Sequence, residues 1–298
     1  VYIESGERRT WIAKSEQDMI SKAIPSHCII SNMELAPDDG FTIYMKEMRK
    51  YQIDAIQSVS CSKYESGQII LPCGTGKTRI QLALHVQDMK YRDSLKDAPG
   101  IYVIAAPTIA LGSELMGSAI DVMMMASVKF DVLLLNSSKS EIDDYAVKYK
   151  GRLNDRVCTF KCSTIATEIS ESVQSAKSNC RHLLIVTTYD SINRLSCLAD
   201  NSINLCTYDE AHKIVEDDNF EKCSAIRSKI VRNIFFTATP KTKNLTSGMA
   251  DTHFFGNILY QKYPREMVQA GEILMPTIHS VLCDTDLSDE SIAAHTLI

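Results

Sequence analysis

GQIILPCGTGKTRIQLALHV, residues 67–86, decides the fold. QIIL (68–71) is an apolar run with one polar residue at its head, and it stops at Pro72, which has no N–H to continue a strand ladder. Gly74 and Gly76 follow, and glycine is the residue that lets a backbone curl through positive φ. From Lys77 onward the apolar residues fall at helical spacing. Strand, glycine-rich turn and helix in immediate succession are the repeating junction of an α/β fold.

The turn has its own chemistry. A curled backbone at Cys73, Gly74, Thr75 and Gly76 points several N–H groups inward, and the start of the next helix adds partial positive charge. That arrangement suits phosphate. Lys77 is placed to reach the β- and γ-phosphates of a nucleotide, and Thr78 to give its hydroxyl to Mg²⁺. The strict pattern G-x-x-x-x-G-K-[ST] wants glycine at position 71, where this chain has Leu71; the core G-T-G-K-T is intact.

Outward from this stretch, the apolar runs IYVIAA (101–106), FDVLLL (130–135), HLLIV (182–186), INLCTY (203–208) and NIFFTA (233–238) read as further strands. They are apolar almost throughout rather than alternating, as strands buried on both faces are. Helical patterns separate them, which implies crossover connections and a parallel sheet. Upstream, KEMRKYQIDAIQSVSCSKY (46–64) carries Met48, Tyr51, Ile53, Ile56 and Val59 near helical spacing. Residues 137–181 are rich in Ser, Lys and Glu and are expected to form surface helices and loops. Residues 1–45 show no clear periodicity, although Trp11, as a packing residue, and HCII (27–30) suggest some folded content.

Composition narrows the class. Of 298 residues, 45% are apolar and 23% charged, the balance of a globular protein with room for one large domain or two. No run approaches the roughly 20 apolar residues of a membrane span, and no secretory leader opens the chain, which begins with Val and so suggests a fragment. A net charge of −5 argues against a uniformly basic nucleic-acid binder but leaves room for a local basic groove. The ten cysteines include no CxxC pair, which points to a reduced, intracellular setting. Cys158, Cys162, Cys180 and His182 have the wrong spacing for a zinc ribbon or finger.

A second chemical block, YDEAHK (208–213), directly follows INLCTY. Parallel sheets bind ligands at the carboxyl ends of their strands. A carboxylate there, Asp209, can hold Mg²⁺, and Glu210 beside it can orient and deprotonate an attacking water.

LPCGTGKT, DEAH and FTATP (236–240), in that order, resemble the first motor domain of superfamily 2 helicases and translocases. MRKYQIDAI (48–56) resembles the family's opening motif, in which a glutamine reads adenine, here Gln52. An amide matches adenine's N6/N7 edge. APTIALGSE (106–114) and TTYDSI (187–192) resemble its nucleic-acid motifs, and TAT (237–239) its coupling motif. The resemblance implies a RecA-like α/β domain with a mostly parallel central sheet flanked by helices. It implies ATP and Mg²⁺ as ligands, Lys77, Asp209 and Glu210 as catalytic residues, and His212 among the nucleotide-binding residues. Thr108, Thr188, Thr237 and Thr239 become the nucleic-acid and coupling residues. For Thr108 a simple helix N-cap is the competing role, and Thr188 and Ser191 share that ambiguity. The Met run 123–125 reads as core filling or a partner surface.

FFGNILYQKYPREMVQAGEILMP (254–276) resembles the stretch that closes the first motor domain in restriction-enzyme motor subunits and in the DNA-opening helicases of transcription and repair. It points to duplex DNA, with an RNA helicase motor or a catalytically weak docking module as alternatives. Phe255, Ile258 and Tyr260 could also form an edge strand. The implied organisation is an N-terminal extension (1–45), a RecA-like domain (46–283) and a stump (284–298) leading to a second RecA-like domain. After TATP the only arginine is Arg265, so the chain alone is expected to be a poor ATPase, because in the family the second domain supplies arginines to the ATP cleft.

Overall fold

Eight strands form one sheet in the order β12-β3-β9-β8-β4-β7-β5-β6, and every neighbouring pair is parallel. In chain order these are β3 (Ser66–Ile70), β4 (Ile101–Ala106), β5 (Phe130–Leu135), β6 (Val157–Cys162), β7 (His182–Thr188), β8 (Ile203–Tyr208), β9 (Ile230–Thr237) and β12 (Asn257–Gln261). The computed structural model describes residues 2–5, 8–11, 40–135, 157–244 and 247–274. β1 (Tyr2–Ser5) and β2 (Arg8–Trp11) form an antiparallel hairpin, in a region where the sequence shows no period. The HCII run lies outside the described residues. β10 (Thr242–Asn244) and β11 (Ser247–Gly248) form a second small antiparallel pair.

The helices are α1 (Gly40–Lys46), α2 (Lys50–Cys61), α3 (Lys77–Leu95), α4 (Ile109–Met125), α5 (Ala166–Ser178), α6 (Asp217–Ser224), α7 (Thr252–Phe255) and α8 (Pro264–Gln269). None in the described residues is long and apolar enough to cross a membrane. The chain divides into two units, Val1–Tyr263 and Pro264–Ile298; of the second, the described part is α8 and the turn that follows it.

The apolar runs take the places their pattern demands. β3, β4, β5 and β7 are buried at every position. On one side of the sheet, Tyr189, Tyr208 and Phe235 stack in sequence, with centroids 6.5 and 4.5 Å apart, and Phe254 and Phe255 close the stack. α2 forms where the helical spacing places it, with Tyr51, Ala55, Ile56 and Val59 buried. α1 begins before the expected 45/46 boundary, ends at Lys46 and buries Phe41. Its start approaches the end of α4 so closely that a Cβ on Gly40 would sit 3.1 Å from the Met125 carbonyl. Of the Met run, Met123 is buried and Met125 exposed.

One expectation is corrected. The polar segment 137–181 is not all surface helix and loop, because β6 pairs with β5 in the main sheet. As an edge strand β6 has one neighbour, and VCTFKC carries none of the continuous apolar signal of the central strands. Residues 136–156 lie outside the described residues. At the opposite edge, β12 forms a strand with Ile258 exposed, as an edge position permits, while Phe255 ends α7 and is buried.

Strand order sets the site. β3 and β4 are consecutive in the chain, yet β9 and β8 lie between them in the sheet. The carboxyl ends of β3, β9 and β8 are therefore side by side at such a switch in order, the place where open parallel sheets bind ligands.

Candidate functional site

The turn after β3 is held from three directions. Gly74 and Gly76 have φ of 77° and 74°, and Gly76 caps α3. The Thr75 hydroxyl donates to the Pro72 carbonyl at 2.7 Å. From α2, the Tyr51 hydroxyl and the Gln52 amide both donate to the Thr75 carbonyl, each at 2.9 Å. A Cβ at Gly76 would lie 2.5 Å from Gln52 Nε2, so glycine is needed there for space as well as for its left-handed backbone. Cys73 and Gly74 are exposed at the crest, and Thr75 is buried beneath. Lys77 Nζ donates to the Leu71 and Pro72 carbonyls at 3.4 and 3.5 Å, which holds its cation against the glycine-rich loop.

Gln52 has a structural part as well. Its side-chain oxygen accepts the Arg49 N–H at 2.9 Å, capping α2, while its nitrogen holds Thr75. It is buried, and one N–H and one lone pair of the amide remain beyond these two bonds.

Asp209 leaves β8 with its N–H donating to Ala105 of β4 at 2.8 Å. Its own carbonyl accepts the hydroxyl of buried Tyr189. Its carboxylate Oδ1 accepts Gln81 Nε2 of α3 at 2.7 Å. Burial pushes the Asp209 pKa up, and Glu210 adds to this; the Gln81 bond and Lys77 pull it back. Glu210 has φ 48° and ψ 47°, a left-handed conformation that a non-glycine residue adopts at some cost, in keeping with a functional turn.

His212 ties Glu210 to the end of β9. Its Nδ1 lies 3.3 Å from Glu210 Oε2, 3.0 Å from Thr237 Oγ1 and 3.4 Å from Thr239 Oγ1. Burial lowers its pKa, against the pull of Glu210, and Lys241 lowers it further. Thr237 is wholly buried and Thr239 is exposed. β9 also supports the loop directly, since Leu71 N–H donates to the Thr237 carbonyl at 3.0 Å.

The structure thus brings together Gln52, Cys73, Gly74, Thr75, Gly76, Lys77, Thr78, Asp209, Glu210, His212, Thr237 and Thr239. Thr108 and Thr188 lie further along the same rim, at the ends of the paired strands β4 and β7. Thr108 is the N-cap of α4, accepting Leu111 N–H at 3.3 Å, and is exposed. Thr188 is buried. Sequence reasoning gave Tyr51 a place in the helical pattern but no part in the site, and did not single out Gln81 or Tyr189. For Gln81 a signal exists: it is a polar residue four positions after Lys77, on the side of α3 that also carries buried His85.

The chemistry of the donors fits a nucleotide with Mg²⁺. The loop offers N–H groups and one lysine for phosphate, a half-buried threonine for the metal, and a buried carboxylate already oriented by a neutral donor.

The family described as "Type III restriction enzyme, res subunit" matches residues 45–242. No curated protein matches the sequence. Among solved structures, a nuclease-deletion mutant of the Type ISP restriction-modification enzyme LlaGI, in complex with a DNA substrate mimic, superposes with a TM-score of 0.55 at 20% identity over 76% of this chain. The ATP-dependent Type ISP restriction-modification enzyme LlaBIII, bound to DNA, gives 0.56 at 16% identity, also over 76%. Mss116p, bound to ssRNA and AMP-PNP, gives 0.50 at 14% identity over 75%. The match spans 21% of the LlaGI chain, 15% of LlaBIII and 42% of Mss116p, so this chain corresponds to a part of each. At such identities the likeness establishes the RecA-like fold. With two thirds of its length matched by the family, the chain belongs to the type III restriction enzyme res-subunit family and is a superfamily 2 helicase-type motor domain.

Proposed function

We propose that the chain binds ATP with Mg²⁺ at the loop after β3 and couples hydrolysis to movement along, or opening of, duplex DNA. The observation that supports this best is that Lys77, Asp209 and Thr237 stand at the ends of three adjacent strands, with His212 joining the acidic turn to the threonine. The loop N–H groups and Lys77 bind and neutralise phosphate. Thr78 and Asp209 would hold Mg²⁺, which supplies charge neutralisation on the β- and γ-phosphates when bound. Glu210 takes the proton from the attacking water. His212, Thr237 and Thr239 relay the state of that site to the rim where exposed Thr108 contacts the nucleic-acid backbone and buried Thr188 supports that rim from beneath. Residues 46–283 form the motor domain, and a second RecA-like domain completes the cleft.

Duplex DNA is favoured because the res-subunit family is matched over most of the chain, and because the LlaGI and LlaBIII structures hold DNA. The ssRNA in Mss116p keeps RNA as the second substrate to test. Two measurements decide. Calorimetric titration with ATP should show binding that Lys77→Ala weakens without lowering the melting temperature, since among the described residues the Lys77 ammonium makes just two long hydrogen bonds, to loop carbonyls at 3.4 and 3.5 Å. Equal affinities remove Lys77 from the phosphate site. Steady-state hydrolysis by a full-length motor should be stimulated more by duplex DNA than by RNA. Greater stimulation by RNA would reverse the substrate.

A further inference from the structure

Lys77, Gln81 and His85 follow one another at four-residue spacing on α3 and so line one side of the helix. Facing them, Thr207 and Asp209 are two residues apart and share one face of β8 and its extension. Four helical residues rise about 6.0 Å and two strand residues about 6.6 Å, so the two rows keep step. The contacts show it: His85 Nε2 is 2.9 Å from Thr207 Oγ1, and Gln81 Nε2 is 2.7 Å from Asp209 Oδ1. The next step along α3 is Lys77, at the phosphate loop.

Gln81 is wholly buried, and among the described residues its second polar atom, Oε1, has no hydrogen-bond partner. A buried acceptor left unmade is costly, and it is kept where something else fills it. The roles assigned above use Lys77, Thr78 and Asp209 but leave this amide unused.

We infer that Gln81 is a positioning residue of the metal site: its N–H fixes the rotation of the Asp209 carboxylate, and its Oε1 accepts a hydrogen from the cation's water shell. The inference rests on the reading of Asp209 as a metal-holding residue. Mg²⁺ keeps several waters when bound, so a neutral acceptor beside its one carboxylate suits it. A neutral amide also orients Asp209 without cancelling its charge, which a lysine or arginine at position 81 would do. Changing a partner of this kind typically costs about 10–100-fold in metal affinity.

Gln81→Met is nearly isosteric and removes both hydrogen bonds. The probe is Mn²⁺, titrated into the chain with ADP present and followed by the loss of its free-ion paramagnetic signal. The expected result is a fall in Mn²⁺ affinity of about 10–100-fold. ADP affinity measured in chelator should stay as in the wild type, because no phosphate contact has been removed. A purely structural role would move both measurements together, along with the melting temperature. Should Gln81→Met fail to fold, Gln81→Asn withdraws the same amide by one methylene while remaining polar, and the same separation is expected of it. Wild-type Mn²⁺ affinity in a folded variant overturns the role of Gln81 alone. Absence of ADP-dependent Mn²⁺ uptake by the wild type overturns the assignment of Asp209, and this inference with it.

Discussion

His212 Nδ1 lies 3.0 Å from the Thr237 hydroxyl, bridging the acidic turn after β8 and the end of β9. The same nitrogen is 3.3 Å from Glu210 Oε2. A neutral imidazole has one N–H, so at Nδ1 it can serve one of these acceptors well at a time. Thr237 thus competes with Glu210 for the ring. Replacing Thr237 by Val removes the competitor and leaves His212 holding Glu210, the proposed base. Turnover by a full-length motor should fall about tenfold, the ~1.4 kcal/mol of one ordinary hydrogen bond. ATP affinity by calorimetry should hardly change. A loss of ATP affinity equal to the loss of turnover would place Thr237 in binding rather than coupling.

Glu210→Gln keeps the size of the side chain and the left-handed turn but removes the proton acceptor. In a full-length motor, turnover should drop by about 10²-fold or more, the usual contribution of a general base, with ATP binding nearly unchanged. Single-turnover hydrolysis beside ATP titration separates the two. An unchanged rate moves the base elsewhere.

Gln52 carries two loads. Its amide caps α2 through Arg49 N–H and clamps the loop through the Thr75 carbonyl. It is also the proposed reader of adenine. Gln52→Ala should cost about 1 kcal/mol of stability, a typical lost cap, and should relax the preference for ATP over GTP, because the amide's remaining donor and acceptor match adenine's edge and not guanine's. Melting curves and competition between the two nucleotides report the loads separately. Discrimination as sharp as in the wild type would leave Gln52 with its structural part only.

How much of this was legible in the sequence follows from how local each signal is. The loop glycines, Lys77 and the DEAH turn are written in consecutive residues, and continuous apolar runs mark β4 and β5 without ambiguity. β6 escaped because an edge strand buries too little to need a continuous apolar run. Gln81 and Tyr189 escaped for a different reason. Their partners lie 128 and 20 residues away, and both meet at Asp209 only because β8 sits beside β4 in the sheet and faces α3. Sheet order, which no local pattern encodes, turns a helix glutamine and a loop tyrosine into supports for one acidic turn.

His85 gives a prediction about pH. It is wholly buried on α3, bonded to Thr207 through Nε2, and burial lowers its pKa from 6.5 to about 3. Between those values the unfolded chain takes up a proton and the folded chain does not. Unfolding is therefore favoured as pH falls below about 6.5, at up to ~1.4 kcal/mol per pH unit, until the folded state titrates as well. From pH 7 to pH 5 this one group should remove about 2 kcal/mol of stability. Burial raises the Asp209 pKa, so its contribution carries the opposite sign, and the measurement is therefore a difference. His85→Gln keeps a hydrogen-bonding side chain of similar size and carries no proton to titrate. Urea unfolding of both proteins at pH 7 and pH 5 should show the wild type losing about 2 kcal/mol more than the variant over that interval. Parallel losses would mean that His85 gains its proton without leaving the fold, and that the α3–β8 contact at Thr207 tolerates a charge.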